Sequence, residues 1–191
     1  MKRNKVLFIL FTLITLSSGV VWGQETEEER VPFGNRIYFG GDFSLQIGRI
    51  TFIEVSPIIG YNITPRFAAG LGITYIYYRQ RFYNDTIIKA QNYGGRIFSK
   101  YLLIDNVSKY IPLQLNAGII AYGEYEFLNM DGIFSLYDQS NRFWLNNVYV
   151  GGGLELPIGR RSKMNFLVLW NLNDTGESPY SNPAVRIGVN F

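Results

Sequence analysis

Glu124 and Glu126 stand two residues apart, a spacing that could support acid–base chemistry. On a β-strand, side chains at positions i and i+2 point to the same face, so these carboxylates would lie close together. Two close carboxylates push their pKa values apart, which lets one act as an acid and the other as a base. The alternative is a structural role in which both carboxylates pair with cations, because a buried charge needs a partner.

Cations in other segments favour the structural alternative. Arg96, Lys100 and Arg186 each fall on the polar side of a segment in which apolar and polar residues alternate. Such alternation is typical of strands with one polar and one apolar face. We therefore predict a charge network on the polar face of a sheet. Its members are Asp42, Glu54, Arg96, Lys100, Glu124, Glu126, Glu155 and Arg186.

Other chemistries find little support in the residue types present. The chain has no Cys, which excludes disulfides and thiol nucleophiles, and no His, the usual base near neutral pH and the commonest metal ligand. The three glycines at 151–153 lack the Lys-Ser/Thr of a phosphate loop, so interior crowding is their preferred explanation. We predict no catalytic residue, no cofactor and no metal. Four acidic residues in the longer connections do not have the spacing of a known Ca²⁺-binding loop: Asp131, Asp138, Asp174 and Glu177.

The formal net charge of +3 comes entirely from the first residues of the chain. Lys2, Arg3 and Lys5 lie there, and without them 15 basic residues face 15 acidic ones. No basic patch remains to bind nucleic acid. The basic start, the apolar run at 6–16 and a small residue at Gly23 predict a signal peptide over 1–23, cleaved before Gln24. An uncleaved anchor is the alternative, but the run is short for a span of about 20 residues.

After the signal peptide, the sequence predicts an acidic flexible tail and then one β-domain. The tail covers 24–35, and the domain covers 36–191. Alternation of apolar and polar residues recurs eight times in this domain, and no stretch is long and apolar enough for a membrane helix. The predicted strands are 36–46, 51–63, 67–78, 94–104, 111–127, 148–158, 164–173 and 184–191.

An even number of alternating strands indicates an all-β fold, an eight-stranded antiparallel up-and-down transmembrane β-barrel. Short polar connections at 64–66, 105–109 and 159–163 would face the periplasm, and longer ones at 79–92, 129–142 and 174–183 would face outward. A soluble β-sandwich or lipocalin-like barrel shows similar alternation. Lipid is favoured by the small residues on the polar face and by aromatics near strand ends, among them Tyr75, Tyr125, Trp144 and Trp170.

The last strand places Val185, Ile187, Val189 and Phe191 on one face. It resembles the C-terminal signal that the outer-membrane assembly machinery recognises. Segments further upstream resemble a family of small outer-membrane barrels from Bacteroidetes, similar in architecture to the OmpA and OmpX barrels. These segments are 93–95, 124–126, 151–153, 157–159, 170–174 and 178–183. The resemblance implies this fold and an outer-membrane location, and it implies no catalytic residues.

The functional hypothesis is a barrel with a plugged polar lumen that acts through its surface loops in binding, adhesion or envelope structure. Its partners would be the lipid bilayer, the assembly machinery and a surface protein or glycan. Apolar residues at 82–88 and 133–137 indicate either a contact surface or strands that continue beyond the membrane. A narrow small-solute channel and a subunit of a larger envelope complex are the alternatives.

Overall fold

The computed structural model of the chain describes residues 33–46, 50–82, 85–110, 116–135, 141–175, 177–180 and 182–191. The predicted signal peptide, its cleavage site at Gly23 and Gln24, and residues 24–32 of the predicted tail lie outside these ranges. The described domain begins slightly before the predicted boundary, because Phe33–Arg36 form a single helical turn, α1, that leads directly into the first strand.

Within the described residues, eight antiparallel strands pair in sequence order and close into a barrel, which confirms the predicted fold. The strands are β1 (Ile37–Gln46), β2 (Ile50–Asn62), β3 (Phe67–Arg81), β4 (Ile87–Ile104), β5 (Gly118–Met130), β6 (Phe143–Pro157), β7 (Lys163–Asn171) and β8 (Ala184–Asn190). We call the end of the barrel that carries the start of β1 and the end of β8 the proximal end, and the opposite end the distal end.

The first and last strands close the barrel through a short seam. Gly40 is the partner of Asn190, and Asp42 is the partner of Gly188. Beyond these pairs, the Phe191 N–H donates to the Phe39 carbonyl at 2.7 Å, and the Phe39 N–H donates back at 3.2 Å. Closure leaves no free edge on either strand at this seam, which removes the template for pairing with another chain.

The long loop predicted at 79–92 is wrong. Strands β3 and β4 continue until Arg81 pairs with Ile87, so the connection covers only 82–86. The sequence does not mark this extension, because its alternation of apolar and polar residues weakens there. Strand β3 has 15 residues and β4 has 18. Ile87 and Ile88 are therefore strand residues, as one of the two interpretations of this segment held.

The predicted start of β5 at 111 and the predicted short turn at 105–109 are also wrong. The ladder between β4 and β5 ends with Ile104 opposite Ile119, β5 begins at Gly118, and residues 116 and 117 lie outside any strand. A 3-10 turn at Val107–Lys109 begins the connection, and the Asn106 side chain caps it by accepting the Ser108 N–H at 2.9 Å. Residues 111–115 lie outside the described ranges. Connection length therefore does not distinguish the two ends as predicted.

The predicted start of β6 at 148 is late, because β6 already begins at Phe143 and pairs there with Met130. The two faces of the strands are as the alternation predicts. Apolar side chains point away from the barrel axis, as at Phe39, Ile73 and Val185, and the polar set points into the lumen. No helix among the described residues is long and apolar enough to cross a membrane.

Candidate functional site

A chain of ion pairs crosses the middle of the lumen. Arg96 on β4 is fully buried, and its Nη2 lies 2.5 Å from Oδ2 of Asp42 on β1. The same nitrogen donates to the Ser56 carbonyl at 3.2 Å, and Nη1 lies 3.6 Å from Oε2 of Glu124 on β5. One guanidinium therefore joins three strands, β1, β2 and β5, to β4 through the interior.

Arg186 on β8 extends this chain toward the distal end. Its Nη1 donates to Oε1 of Glu124 at 2.5 Å, and its Nη2 lies 3.7 Å from Oε1 of Glu126. The guanidinium carbon lies 5.0 Å from the ring centre of Tyr149 and 5.6 Å from that of Tyr180, within the range of cation–π attraction. Arg186 thus connects both predicted carboxylates and two aromatic rings.

The carboxylates at the centre of the lumen also accept neutral hydrogen bonds. Tyr122 donates to Glu124 at 2.8 Å, and Asn147 donates to Glu126 at 3.1 Å. Ser56 donates to Glu54 at 3.0 Å. These bonds hold Glu124 and Glu126 in a packed network, which is the structural alternative for this pair. The cleft that the acid–base hypothesis requires is not found at these two carboxylates.

A second ionic group lies nearer the proximal end. Lys100 Nζ lies 2.6 Å from one oxygen of Glu155, and Lys163 Nζ lies 2.5 Å from the other. Lys100 also lies 5.1 Å from the ring centre of Tyr38. Lys163 was assigned to a turn by the sequence, but it is the first residue of β7 and shares the inward face of Asn165. Its position two residues before that inward Asn was the signal that could have identified it.

We expect the two lysines to contribute unequally to stability. Lys100 has 13% of its side chain exposed, against 48% for Lys163. Lys100→Met should lower the free energy of unfolding by about 1.5–3 kcal/mol, the usual cost of losing a charged hydrogen bond. Lys163→Met should cost about 1 kcal/mol or less, because solvent screens an exposed pair. Urea unfolding in detergent measures both, and equal losses would contradict this ranking.

An apolar cluster closes the distal part of the lumen, where the sequence predicted loops. Its buried members are Ile76, Leu128, Met130 and Leu145, and Phe52, Phe134, Phe143 and Tyr180 pack against them. Phe134 lies in a 3-10 turn after β5, and its ring contacts Tyr78 edge to face at 5.1 Å between centres. The described apolar residues of the connection between β5 and β6 therefore cover the distal opening of the barrel.

Tyr180 belongs to the connection 172–183 but points into the barrel. Its hydroxyl lies 3.5 Å from Glu126, and its ring meets those of Phe52 and Tyr149 edge to face. Asn182 holds the connection in place by accepting the Asn171 N–H and donating to the Asn171 carbonyl, both at 3.1 Å. The loop thus adds an aromatic side chain to the closure of the lumen. Nothing in the sequence pattern distinguishes this tyrosine from the others.

Glycines on the inner face make room for large rings. A Cβ at Gly60 would lie 2.1 Å from the Tyr38 ring, and one at Gly70 would lie 2.4 Å from the Ile59 carbonyl oxygen and 2.5 Å from the Phe98 ring. Interior crowding was also the explanation preferred for the glycines at 151–153, and there the lack of space comes from backbone and not from lumen side chains. The atoms that their Cβ would meet are backbone atoms of neighbouring strands, such as the Phe166 carbonyl oxygen opposite Gly153.

No protein-family model matches the chain, and no curated protein matches it either. The resemblance to small Bacteroidetes barrels therefore stays an expectation.

The eight residues of the predicted network fall into three connected groups. The central chain is Asp42–Arg96–Glu124–Arg186–Glu126, Glu54 lies beside it with Ser56, and Lys100 pairs with Glu155. In the described ranges, no group of three or more acidic side chains could hold a metal ion. Of the acidic loop residues, Asp131 lies 3.8 Å from Arg142, and Asp138 lies outside those ranges.

Proposed function

We propose that the protein is a non-catalytic outer-membrane β-barrel with a closed lumen, and that it acts at its outer surface in binding or envelope structure. The observation that carries this proposal is the polarity of the barrel. Charged and amide side chains lie buried in the interior beside three apolar clusters, and large apolar side chains cover the exterior. A soluble barrel turns a polar outer face to water, so an apolar exterior around buried charges is the opposite of what water requires.

The exposed apolar surface is too extensive for a protein in water. Phe39, Ile73 and Val185 lie on three different strands and expose 61%, 66% and 69% of their surface. Similar residues occur on every strand. Soluble monomers rarely expose contiguous apolar patches above a few hundred Å². Lipid acyl chains are the solvent that suits this surface.

The aromatic residues support a defined placement in a bilayer. Tyr75, Tyr93, Phe127 and Trp144 point outward near the distal end, and Tyr101 and Phe191 point outward near the proximal end. Trp and Tyr prefer the two membrane–water interfaces. We place the proximal end, where β1 begins and β8 ends, in the periplasm. The outward row of Val185, Ile187 and Phe191 would then serve assembly-factor recognition.

Insertion can be tested with the two outward tryptophans of the barrel, Trp144 and Trp170. We expect lipids brominated near the headgroup to quench their fluorescence in vesicles more strongly than lipids brominated at the chain ends, because interfacial aromatics lie at headgroup depth. A protein that stays in the aqueous fraction, unquenched by either lipid, would contradict the proposal.

The closed lumen predicts a silent bilayer recording. Inserted wild-type protein should show no steady conductance, because the ion-pair chain and the apolar cluster fill an interior that is just wide enough for side chains. Tyr180→Ala should give small openings, since it removes the aromatic side chain of the connection 172–183 from the mouth. Tyr110→Ala, at an exposed proximal tyrosine, is the matched control and should stay silent.

A narrow channel is the second candidate, and one observation favours it. The central chain and the neighbouring Glu54 together place four carboxylates, Asp42, Glu54, Glu124 and Glu126, beside two guanidinium groups, Arg96 and Arg186, among the described residues. Such an excess of acidic groups would attract cations. Steady cation-selective openings of the wild-type protein, altered by Arg96→Ala or Glu124→Ala, would replace the closed-lumen proposal with this one.

A further inference from the structure

A groove lies on the outer wall of the barrel, in the band that the proposed function assigns to lipid. Its volume is about 620 Å³. Its lining is contributed by β2, β3, β4, β5 and β6, and the main side chains are Val55, Ile73, Tyr75, Tyr93, Phe127 and Trp144. The groove is separate from the lumen and from the charge network. Nothing in the closed-lumen function requires it.

The sequence builds this groove by combining large and absent side chains across neighbouring strands. Tyr75 and Tyr93 are direct cross-strand partners, and Phe127 and Trp144 face each other on β5 and β6 with ring centres 6.5 Å apart. Gly95 leaves room for the Phe127 ring, which would lie 2.7 Å from a Cβ at that position, and Gly94 contributes to the lining. A groove with aromatic walls suits a flexible apolar chain.

Arg142 lies beside the groove and holds one of its walls in place. Its guanidinium carbon lies 4.8 Å from the ring centre of Tyr93, and its Nη2 donates to the Gln91 carbonyl at 2.9 Å. Asp131 lies 3.8 Å from another guanidinium nitrogen, so this cation already has an acidic neighbour. Arg142 therefore orients the Tyr93 ring, which forms one wall of the groove. Because Asp131 is its neighbour, Arg142 is not one of the cations that we assign to phosphate binding.

Two cations lie beyond the distal end of the groove. Arg79 and Lys89 are cross-strand partners on β3 and β4, four residues distal to the Tyr75–Tyr93 pair on the same outward face. Four residues of strand span about 13 Å. Within the described part of the chain, Arg79 and Lys89 form no salt bridge, and the Arg79 Nε is buried without a hydrogen-bond partner. Arg81 adds a third cation, and Asp85 is the single acidic residue between 79 and 92.

We infer that the groove binds a phosphate-bearing membrane lipid, whose acyl chain lies between the aromatic walls and whose phosphate contacts Arg79 and Lys89. This inference rests on the proposed function, because it takes the outer wall to face lipid. Charge complementarity supports it, since Arg79 and Lys89 have no acidic partner among the described residues and lie at the headgroup level beyond the interfacial aromatics. Arginine and lysine are the residues that proteins use for phosphate.

Native mass spectrometry of the purified protein, as processed by the producing cell and held in neutral detergent, tests the inference. The probes are lipid A and its phosphate-free form. Wild-type protein should retain lipid A and bind the phosphate-free form roughly 30-fold more weakly, the effect of about two surface cations. The double variant Arg79→Gln/Lys89→Gln should lose this discrimination. Arg160→Gln/Arg161→Gln, a pair of exposed cations in the connection 158–162, should keep it.

The acyl-chain part is tested with a second matched pair. Trp144→Ala removes one wall and should weaken retention of both lipid A and its phosphate-free form. Trp170→Ala removes an outward tryptophan on β7 that does not line the groove, and it should leave retention unchanged. Equal retention by wild type, the Arg79/Lys89 variant and Trp144→Ala would overturn the inference. So would occupation of the groove by a second copy of the barrel without lipid.

The failure of this inference and the failure of the proposed function give different results. If brominated lipids quench Trp144 and Trp170 but the protein retains lipid A and its phosphate-free form equally, only the inferred lipid site is wrong. If neither tryptophan is quenched in vesicles, the outer wall does not face lipid and both proposals fall.

Discussion

Replacing Arg186 with methionine should destabilise the barrel by about 3–5 kcal/mol, the usual cost of removing one partner from a buried ion pair. Arg186 contacts Glu124 at 2.5 Å and Glu126 at 3.7 Å, and both carboxylates are fully buried. Without the guanidinium, two acids two residues apart would lie in the lumen with Arg96 as the one remaining cation nearby. Their mutual repulsion adds to the cost of desolvation.

Urea unfolding of the refolded barrel, followed by tryptophan fluorescence, measures this loss. The double variant Arg186→Met/Glu124→Gln should recover part of it, because the neutral amide no longer needs a cation and Asp42 keeps Arg96. If Arg186→Met lowered the free energy of unfolding by less than about 1 kcal/mol, the Arg186–Glu124 ion pair would contribute no more than an exposed ion pair, and the prediction would be wrong.

Lys109→Met is the matched control for the removal of a cation. Lys109 pairs with Asp105 at 2.5 Å, the same distance as the Arg186–Glu124 contact, but both side chains are at least half exposed. The hydrogen bond from Lys109 lowers the pKa of the Asp105 carboxyl, so a real interaction is lost. We nevertheless expect no measurable change in stability, because water replaces this partner. The contrast isolates burial as the cause of the large effect at Arg186.

The sequence predicts the faces of the strands better than their ends. Alternation assigns Arg96, Glu124 and Arg186 to the interior, because a one-residue shift would move every apolar side chain of the strand to the wrong side. Strand ends depend instead on hydrogen-bond partners in the neighbouring strand. The alternation predicts a strand from 111, but β5 begins at Gly118, and its ladder with β4 ends where Ile104 lies opposite Ile119.

The distal closure shows why part of the site could not be predicted. Met130 was assigned to a loop, and Leu128 and Leu145 fell between that loop and the neighbouring predicted strands, so no inward direction was predicted for them. Because β5 extends to Met130 and β6 begins at Phe143, these residues line the lumen and seal it with apolar side chains. The role of Tyr180 depends on a loop that folds back into the barrel, and local sequence carries no signal for that.

The groove depends on which residues of neighbouring strands face each other, and a single sequence does not reveal that pairing. From the sequence alone, Tyr75 and Trp144 are each predicted only as aromatic residues near the end of a strand. That Tyr75 meets Tyr93, and that Phe127 lies over Gly95, follows from the pairing of β3, β4 and β5. The cations Arg79 and Lys89 appear remote from each other in sequence and become neighbours only when the hairpin extends to 82–86.

Replacing Gly153 with valine should prevent the barrel from closing. A Cβ at this position would lie 1.7 Å from the carbonyl oxygen of Phe166 on β7, a separation that real Cβ atoms do not show. The obstacle is backbone, so no side-chain rotation relieves it, and β7 would have to leave the ladder. We expect a loss above about 4 kcal/mol, in the range reserved for severe steric change. Heat-modifiable electrophoretic mobility after refolding into detergent should show no folded band.

Gly123→Val is the matched control, because Gly123 also lies inside a strand. The nearest atom to a Cβ there is the Ser99 hydroxyl oxygen at 3.8 Å, an ordinary contact. Valine favours strands, so this variant should refold like the wild type. Similar refolding yields for the two variants would contradict the steric argument.

A double variant separates backbone contact from lumen crowding as the reason for Gly153. Leu167 is the cross-strand partner of Gly153, and its side chain is buried in the lumen. If crowding by lumen side chains excluded a larger residue, Gly153→Val/Leu167→Ala would restore folding by making space beside the valine. The clash with the Phe166 carbonyl remains in this double variant, because the position of that oxygen follows from the β6–β7 ladder. We therefore expect no rescue, and a recovered folded band would assign the glycine to crowding after all.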